Sequence, residues 1–245
     1  MQRAFSRHGV GACVLLLTVL SFCVLSGCDF IGGFGKKQSY VAGKLVDGSG
    51  KPLARVKIVA VQKQPIQGYE QAEAVTGSDG LFKLSGLFPS AEYTVKPWPD
   101  KGETDAQTVV TTALEGNTSI INEPLKMRFL RSEDGVITDS ATNLQWLPGP
   151  DRNTSYSQAE SWVASQTLAG AGWRMPIRDE LRSLYNKSFE YHISPIFKAA
   201  GYRWVWAEPN DSSSAYIFVF GGGLDSWNPR DYSLDGRVIA VRPRK

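Results

Sequence analysis

The chain has 245 residues, with 27 Lys and Arg against 24 Asp and Glu and a formal net charge of +3. Basic and acidic residues are interspersed throughout, which excludes the clustered positive face that nucleic acid requires and implies no strong electrostatic partner. The small stock of two histidines and three cysteines narrows the chemistry further.

Arg3 and Arg7 precede an apolar run from Val10 to Leu25 that is short for a membrane span, so residues 1–27 read as a secretory signal, with an N-terminal anchor helix as the alternative. The run ends in Leu25-Ser26-Gly27-Cys28, which resembles the bacterial lipobox. The resemblance implies cleavage before Cys28 and its acylation, making a membrane-anchored lipoprotein of the cell envelope. Asp29 resembles an inner-membrane retention signal, and placement in the inner membrane facing the periplasm or in the outer membrane at the cell surface stays open. The mature chain would keep 25 basic and 24 acidic residues, near +1. Cys13 and Cys23 go with the signal, leaving no disulfide, thiol nucleophile or thiolate metal site. Residues 28–39, with the Gly-rich stretch Phe30 to Ser39, read as a flexible tether.

From 40 to 126 the pattern is period-two. Strands are expected at Tyr40 to Val46, Val56 to Val61, Ala72 to Thr76, Leu81 to Leu84, Tyr93 to Val95, Val109 to Thr112 and Ser119 to Ile121, with Gly/Asp turns between several of them. About seven such strands predict an all-β sandwich. The stretches VAGKLVDGSGKPLARVKIVA and TGSDGLFKLSGLFPSAEYTVK resemble the carboxypeptidase regulatory-like domain, a transthyretin-like sandwich. That resemblance implies a spacer or structural support. Trp98, between Pro97 and Pro99, is the one exposed-looking candidate for a binding surface of its own.

From 127 to 245 the pattern becomes α+β. Strands are expected at Phe129 to Leu130, Val136 to Thr138 and Leu144 to Trp146. Ser157-Gln158-Ala159-Glu160 reads as a capping box opening a helix that runs to about Leu168, with Ala159, Trp162, Val163 and Gln166 on one side. Pro176 is suited to the first turn of a second helix, where Asp179 and Glu180 complement the dipole. Ile177, Leu181, Leu184 and Tyr185 make its apolar stripe, and Asn186 its stop. A short third helix is expected at Pro195 to Ala200. Strands follow at Arg203 to Ala207, Ala215 to Phe220, Leu224 to Trp227 and Val238 to Val241, with the first and last strands of the segment expected to lie close. Trp204 and Trp206 share a face and read as core.

Trp173-Arg174-Met175-Pro176-Ile177 with Glu180-Leu181, preceded by DGVITDSATNLQW (Asp134 to Trp146) and followed by RWVWA (Arg203 to Ala207), resembles the Lcl C-terminal domain family, named for a collagen-like bacterial adhesin. The resemblance implies a variant of the C-type lectin-like fold, shared with formylglycine-generating enzymes, and an adhesion-type role in extracellular binding, including of sulfated polysaccharides.

An enzyme is not expected. His192 is the one imidazole of the mature chain, with no nucleophile elbow near it. Formylglycine-generating relatives need a copper-binding cysteine pair, which is missing here. A glycosidase would need two facing carboxylates, for which Glu208, Asp211, Asp225 and Asp231 are the available residues. Glu208-Pro209-Asn210 and Trp227-Asn228 resemble the EPN and WND calcium and mannose motif of C-type lectins, which makes Glu208, Asn210 and Asn228 candidate calcium ligands. Pro229 and Tyr216 stand where that motif has acids, and a plain turn at Glu208 to Asp211 is the alternative. A calcium-free surface of Trp227, Tyr232, Tyr202, Asn228 and Arg230 suits sugar stacking and sulfate or carboxylate contact. The expected ligand is a polysaccharide or glycoconjugate. A protein partner in the envelope is the alternative.

Overall fold

The computed structural model describes residues 37–197 and 204–244, and Gln38–Lys245 form one compact unit. Cys28, expected to be lipidated, the expected signal, most of the tether and Tyr202 lie outside the described residues. Among the described residues no helix is long and apolar enough to cross a membrane.

The first half of the compact unit is eight strands in two sheets. β1 (Ser39–Asp47) is the hub of one: β4 (Leu81–Leu87) pairs with it antiparallel, and β7 (Thr118–Ile120) and β8 (Leu125–Met127) pair with it in parallel. The other runs β3 (Gln71–Val75), β2 (Lys57–Gln62), β5 (Glu92–Trp98) and β6 (Thr108–Thr111). The alternation works as a half-buried strand should: Val41 and Leu45 of β1, Phe82 and Leu84 of β4 and Tyr93 and Val95 of β5 point into one core. Each aliphatic side chain so buried contributes on the order of 1.5–3 kcal/mol. Trp98 is half exposed at the end of β5, with the Lys96 Nζ 5.2 Å from its ring.

Met127, read from the sequence as the start of the second segment, is the last residue of β8, and a single residue, Arg128, separates it from β9 (Phe129–Arg131). β9, β10 (Ile137–Asp139), β11 (Leu144–Pro148) and β16 (Ile239–Pro243) form a third sheet in the order β16-β11-β10-β9, so the first and last strands share a sheet at its opposite edges. The fourth runs β14 (Leu224–Pro229), β13 (Ser214–Val219), β12 (Trp204–Pro209) and β15 (Gly236–Arg237). The apolar runs Trp204 to Ala207 and Val238 to Val241 are continuous because these segments are buried on both faces. Trp204 and Trp206 face one core with α1 (Tyr156–Ala164), their rings 4.8 Å apart and perpendicular. Val205 and Ala207 face the other, with Leu181 of α2 (Arg178–Ser183).

The helices depart from the expected boundaries. The capping box at α1 is Ser155 and Gln158, not Ser157 and Glu160: Gln158 Oε1 accepts the Ser155 N–H at 2.9 Å and Ser155 Oγ accepts the Gln158 N–H at 3.4 Å. α1 stops at Ala164 rather than near Leu168, whose carbonyl instead accepts the Trp173 indole N–H at 2.9 Å. α2 begins one residue beyond Ile177, which sits outside it and is half exposed, while Leu181 and Leu184 carry the buried stripe. Only Pro195–Phe197 of the third helix is described, as one tight turn.

The two halves lock together. Glu103 and Arg131 exchange backbone hydrogen bonds at 2.8 and 2.9 Å, and Gly102, at φ 87°, lies so close that an added Cβ would meet the Arg131 carbonyl oxygen at 2.1 Å. Gly48 donates its N–H to Ser140 Oγ at 2.8 Å, and a Cβ there would meet the Ala141 nitrogen at 2.7 Å.

Candidate functional site

The start of α2 sets the geometry around Glu208. Ile177 occupies the cap position and has no acceptor, so two carboxylates supply what it lacks. Glu180 accepts the Ile177 N–H at 2.9 Å, and Glu208, reaching over from β12, accepts the Arg178 N–H at 2.7 Å. Glu208 also takes the Arg178 Nε–H at 2.9 Å on its other oxygen, so both oxygens are engaged by one residue. The Arg178 guanidinium lies 3.7 Å above the Tyr216 ring on β13, a cation-π contact that holds the arginine in place. Arg174 pairs with both oxygens of Glu180, at 2.8 and 2.6 Å. Burial pushes the Glu180 carboxyl up, but the bonds from Arg174 and Ile177 more than offset it and hold the group below its ordinary value. Arg182 bridges Asp179 and Asp225.

This arrangement gives Glu208 and Asn210, two of the three residues considered for calcium, other partners and sets the third, Asn228, on the α1 side. The positive charge beside Glu208 is Arg178 itself, and Tyr216, opposite Trp227 in the sheet, supplies an arene in place of a carboxylate. Asn210 directs its amide N–H to Ser214 Oγ at 2.8 Å and to Asp211 at 3.2 Å, within the turn. Asn228 pairs with Ala215 and so faces the core with α1, whereas Trp227 and Tyr216 face α2. Among the described residues no three His, Cys, Asp or Glu side chains gather where a metal could sit.

The Glu208 to Asp211 stretch ends β12 in a turn built on Asp211. Its carboxylate accepts the N–H groups of Ser213 and Ser214, both at 2.7 Å, and both hydroxyls, at 2.9 and 2.8 Å. The Ser214 hydroxyl, followed by the Ser213 groups, draws the Asp211 carboxyl down to about 2. Of the carboxylates considered for a glycosidase pair, Glu208 and Asp225 are thus held by Arg178 and Arg182, and Asp211 holds its own turn. His192 faces the Phe220 carbonyl through Nδ1 at 3.0 Å and lies edge-on to Tyr185, 5.5 Å between ring centres.

The expected aromatic surface is divided by the sheet. Trp227 lies on the α2 side, 57% exposed, opposite Tyr216. Arg230 and Tyr232 lie on the α1 side. Tyr232 stacks on Trp204 at 6.2 Å and 17°, and the Arg230 guanidinium sits 4.8 Å over the Tyr156 ring, its Nε donating to the Ser214 carbonyl at 3.3 Å. Burial, reinforced by Glu160, pushes the Tyr156 hydroxyl up to about 12, so it stays protonated. Arg178, Tyr216 and Arg182 are the residues of this face that the motifs did not single out. The run of Arg178 into the acidic first turn of α2 was the available signal.

Residues 135–242 match the family model of the Lcl C-terminal domain. The matched segment is under half of the 245 residues and runs from the turn before β10 to β16. It contains both helices, the Arg178–Glu208 pair, Tyr216 and Trp227. No curated protein matches the chain.

Proposed function

We propose that the chain is a non-enzymatic lipoprotein of the bacterial envelope, anchored through Cys28, whose Lcl C-terminal domain binds a polysaccharide or glycoconjugate in an adhesion-type role. In this reading residues 40–126 are a transthyretin-like sandwich, a carboxypeptidase regulatory-like module that supports the binding domain. The domain of residues 127–245 has a C-type lectin-like α+β architecture. The observation that carries the reading is Trp227, whose indole is 57% exposed on β14 beside the Tyr216–Arg178 pair. A large ring kept in water on a regular strand is a platform for a sugar face, and the polar groups around it can orient hydroxyls. Arg178 and Glu208 hold that surface rigid, which lowers the ordering cost of binding.

The test uses the full chain, purified in a detergent without a sugar headgroup, against a glycan panel that includes sulfated polysaccharides, in calcium and in chelator. Binding that survives chelator and is lost in Trp227→Ala, at unchanged melting temperature, supports the reading. A folded protein that binds no glycan, yet yields a defined envelope protein on cross-linking in cells, would replace it with the protein-partner reading. The anchor has its own check, incorporation of labelled palmitate that disappears in Cys28→Ala.

A further inference from the structure

Where the two halves meet, a cleft of about 610 Å³ opens between the Asp105 loop and the Lys126 end of the first half and the segment after α2, Leu184 to Phe189. That volume falls within the range of small-molecule sites, roughly 300–1,000 Å³. Its floor is Phe129 and Leu184, both buried. The Asp105 loop is fixed from two sides, by the Glu103–Arg131 backbone pair and by a hydrogen bond from the Ser194 hydroxyl to the Asp105 carboxylate, with Ser194 buried. The opposite wall is held by its own backbone, the Asn186 N–H donating to the His192 carbonyl at 2.8 Å and the Phe189 N–H to the Asn186 carbonyl at 3.2 Å. The cleft is therefore pre-formed.

Its lining combines three chemistries. Asp105 is a desolvated acceptor, its carboxyl pushed up by burial despite the Ser194 bond. Lys126 and the Asn186 amide are donors at the lip; the Asn186 side-chain oxygen already accepts the Ser188 N–H at 2.9 Å, so the group has its NH₂ to offer a ligand. Phe189, half buried, supplies a ring at the mouth. Arg128 is already paired with Asp139, so Asp105 and Glu123 face Lys126 and the lining carries at most one net negative charge, too little to select a strong ion. A neutral cyclic polyol meets all three: its C–H face lies on an arene, its hydroxyls donate to a carboxylate, and its oxygens accept from ammonium and amide.

We propose that this cleft binds a neutral saccharide of roughly one or two rings, held by both halves of the chain at once. It extends the glycan-binding reading, on which it rests, to a second site that does not include Trp227.

The experiment is saturation-transfer NMR and calorimetry on the full chain in the same detergent, with glucose, maltose and N,N′-diacetylchitobiose as probes. Variants are Phe189→Ala, Asp105→Asn and Trp227→Ala, each checked by melting temperature. The expected result is binding of at least one probe that weakens about tenfold in Phe189→Ala and in Asp105→Asn, the loss of about one good contact, and is unchanged in Trp227→Ala. Phe189 is on the rim, so its variant decides the matter even if Asp105→Asn unfolds. Binding by none of the probes overturns the proposal, as does binding lost in Trp227→Ala and kept in Phe189→Ala. The second outcome leaves the glycan reading intact at Trp227, whereas failure of the large polysaccharides as well removes both.

Discussion

Replacing Glu208 tests whether its carboxylate pins α2 or holds a metal. Glu208→Ala removes the cap on the Arg178 N–H and the ion pair to the Arg178 side chain. A lost helix cap costs about 1 kcal/mol. The pair is partly exposed, 37% and 27% for the two side chains, so it is discounted to about 0.5 kcal/mol. The sum, about 1.5 kcal/mol, corresponds to a fall of roughly 3–6 °C in melting temperature for a chain of this size. Glu208→Gln separates the two contributions, because its amide oxygen still accepts the backbone N–H while the charge is gone; its fall should be about 1–2 °C. The assay is thermal melting followed by circular dichroism, each protein in millimolar calcium and in chelator. If Glu208 is a pin, calcium leaves all three curves where they are. A wild-type melting temperature that climbs several degrees with calcium, and fails to climb in Glu208→Gln, would refute the reasoning.

Two further perturbations follow from the same structure. Gly102→Ala puts a side chain at φ 87° and 2.1 Å from the Arg131 carbonyl, so both backbone strain and the loss of the Glu103–Arg131 pair should appear, together about 3 kcal/mol, read as a fall of roughly 6–12 °C. The Asp211 carboxyl, held at about 2 in the fold and so below its ordinary value, contributes stability that is complete above its unfolded value and is lost as pH falls through that window. Melting temperature measured from pH 5 down to about pH 2 should therefore drop less steeply in Asp211→Asn than in the parent chain; parallel slopes would remove the carboxylate from the account.

Period-two patterning placed seven strands of the first half within a few residues and missed β8, only three residues long, while the continuous runs at Trp204 and Val238 belong to strands covered on both sides. Helix starts were less legible. Ser155 and Ser157 each precede a Gln or Glu by three, and nothing local separates them. The choice is made by Thr154, whose N–H donates to the Gly236 carbonyl at 3.0 Å and whose own carbonyl accepts the Trp206 indole at 2.7 Å, fixing where the chain enters α1. The site was legible only in part for the same reason. Glu208-Pro209-Asn210 has the order and spacing of a metal motif, but its meaning is set by Arg178, thirty residues earlier in the chain. Trp227 and Tyr232 are close in sequence, yet one belongs to a regular strand facing α2 and the other follows the turn after Pro229 and lies on Trp204.

The junction of the halves alters what the first half can do. A spacer that merely extends reach needs a hinge, and the one residue available, Arg128, is not free to act as one. Its guanidinium makes paired bonds to Asp139 at 2.9 and 2.7 Å and lies 4.5 Å over the Phe129 ring. Asp139 is wholly buried and also accepts the Ala141 N–H and the Thr142 hydroxyl, so releasing Arg128 would strand a buried carboxylate that is itself part of the following turn. Breaking such a pair costs far more than the bending of an ordinary linker. With the Glu103–Arg131 backbone pair and the Gly48 N–H bond to the Ser140 hydroxyl beside it, the two halves are tied at several points, and any ligand in the cleft between them meets walls whose ordering cost was met when the chain folded.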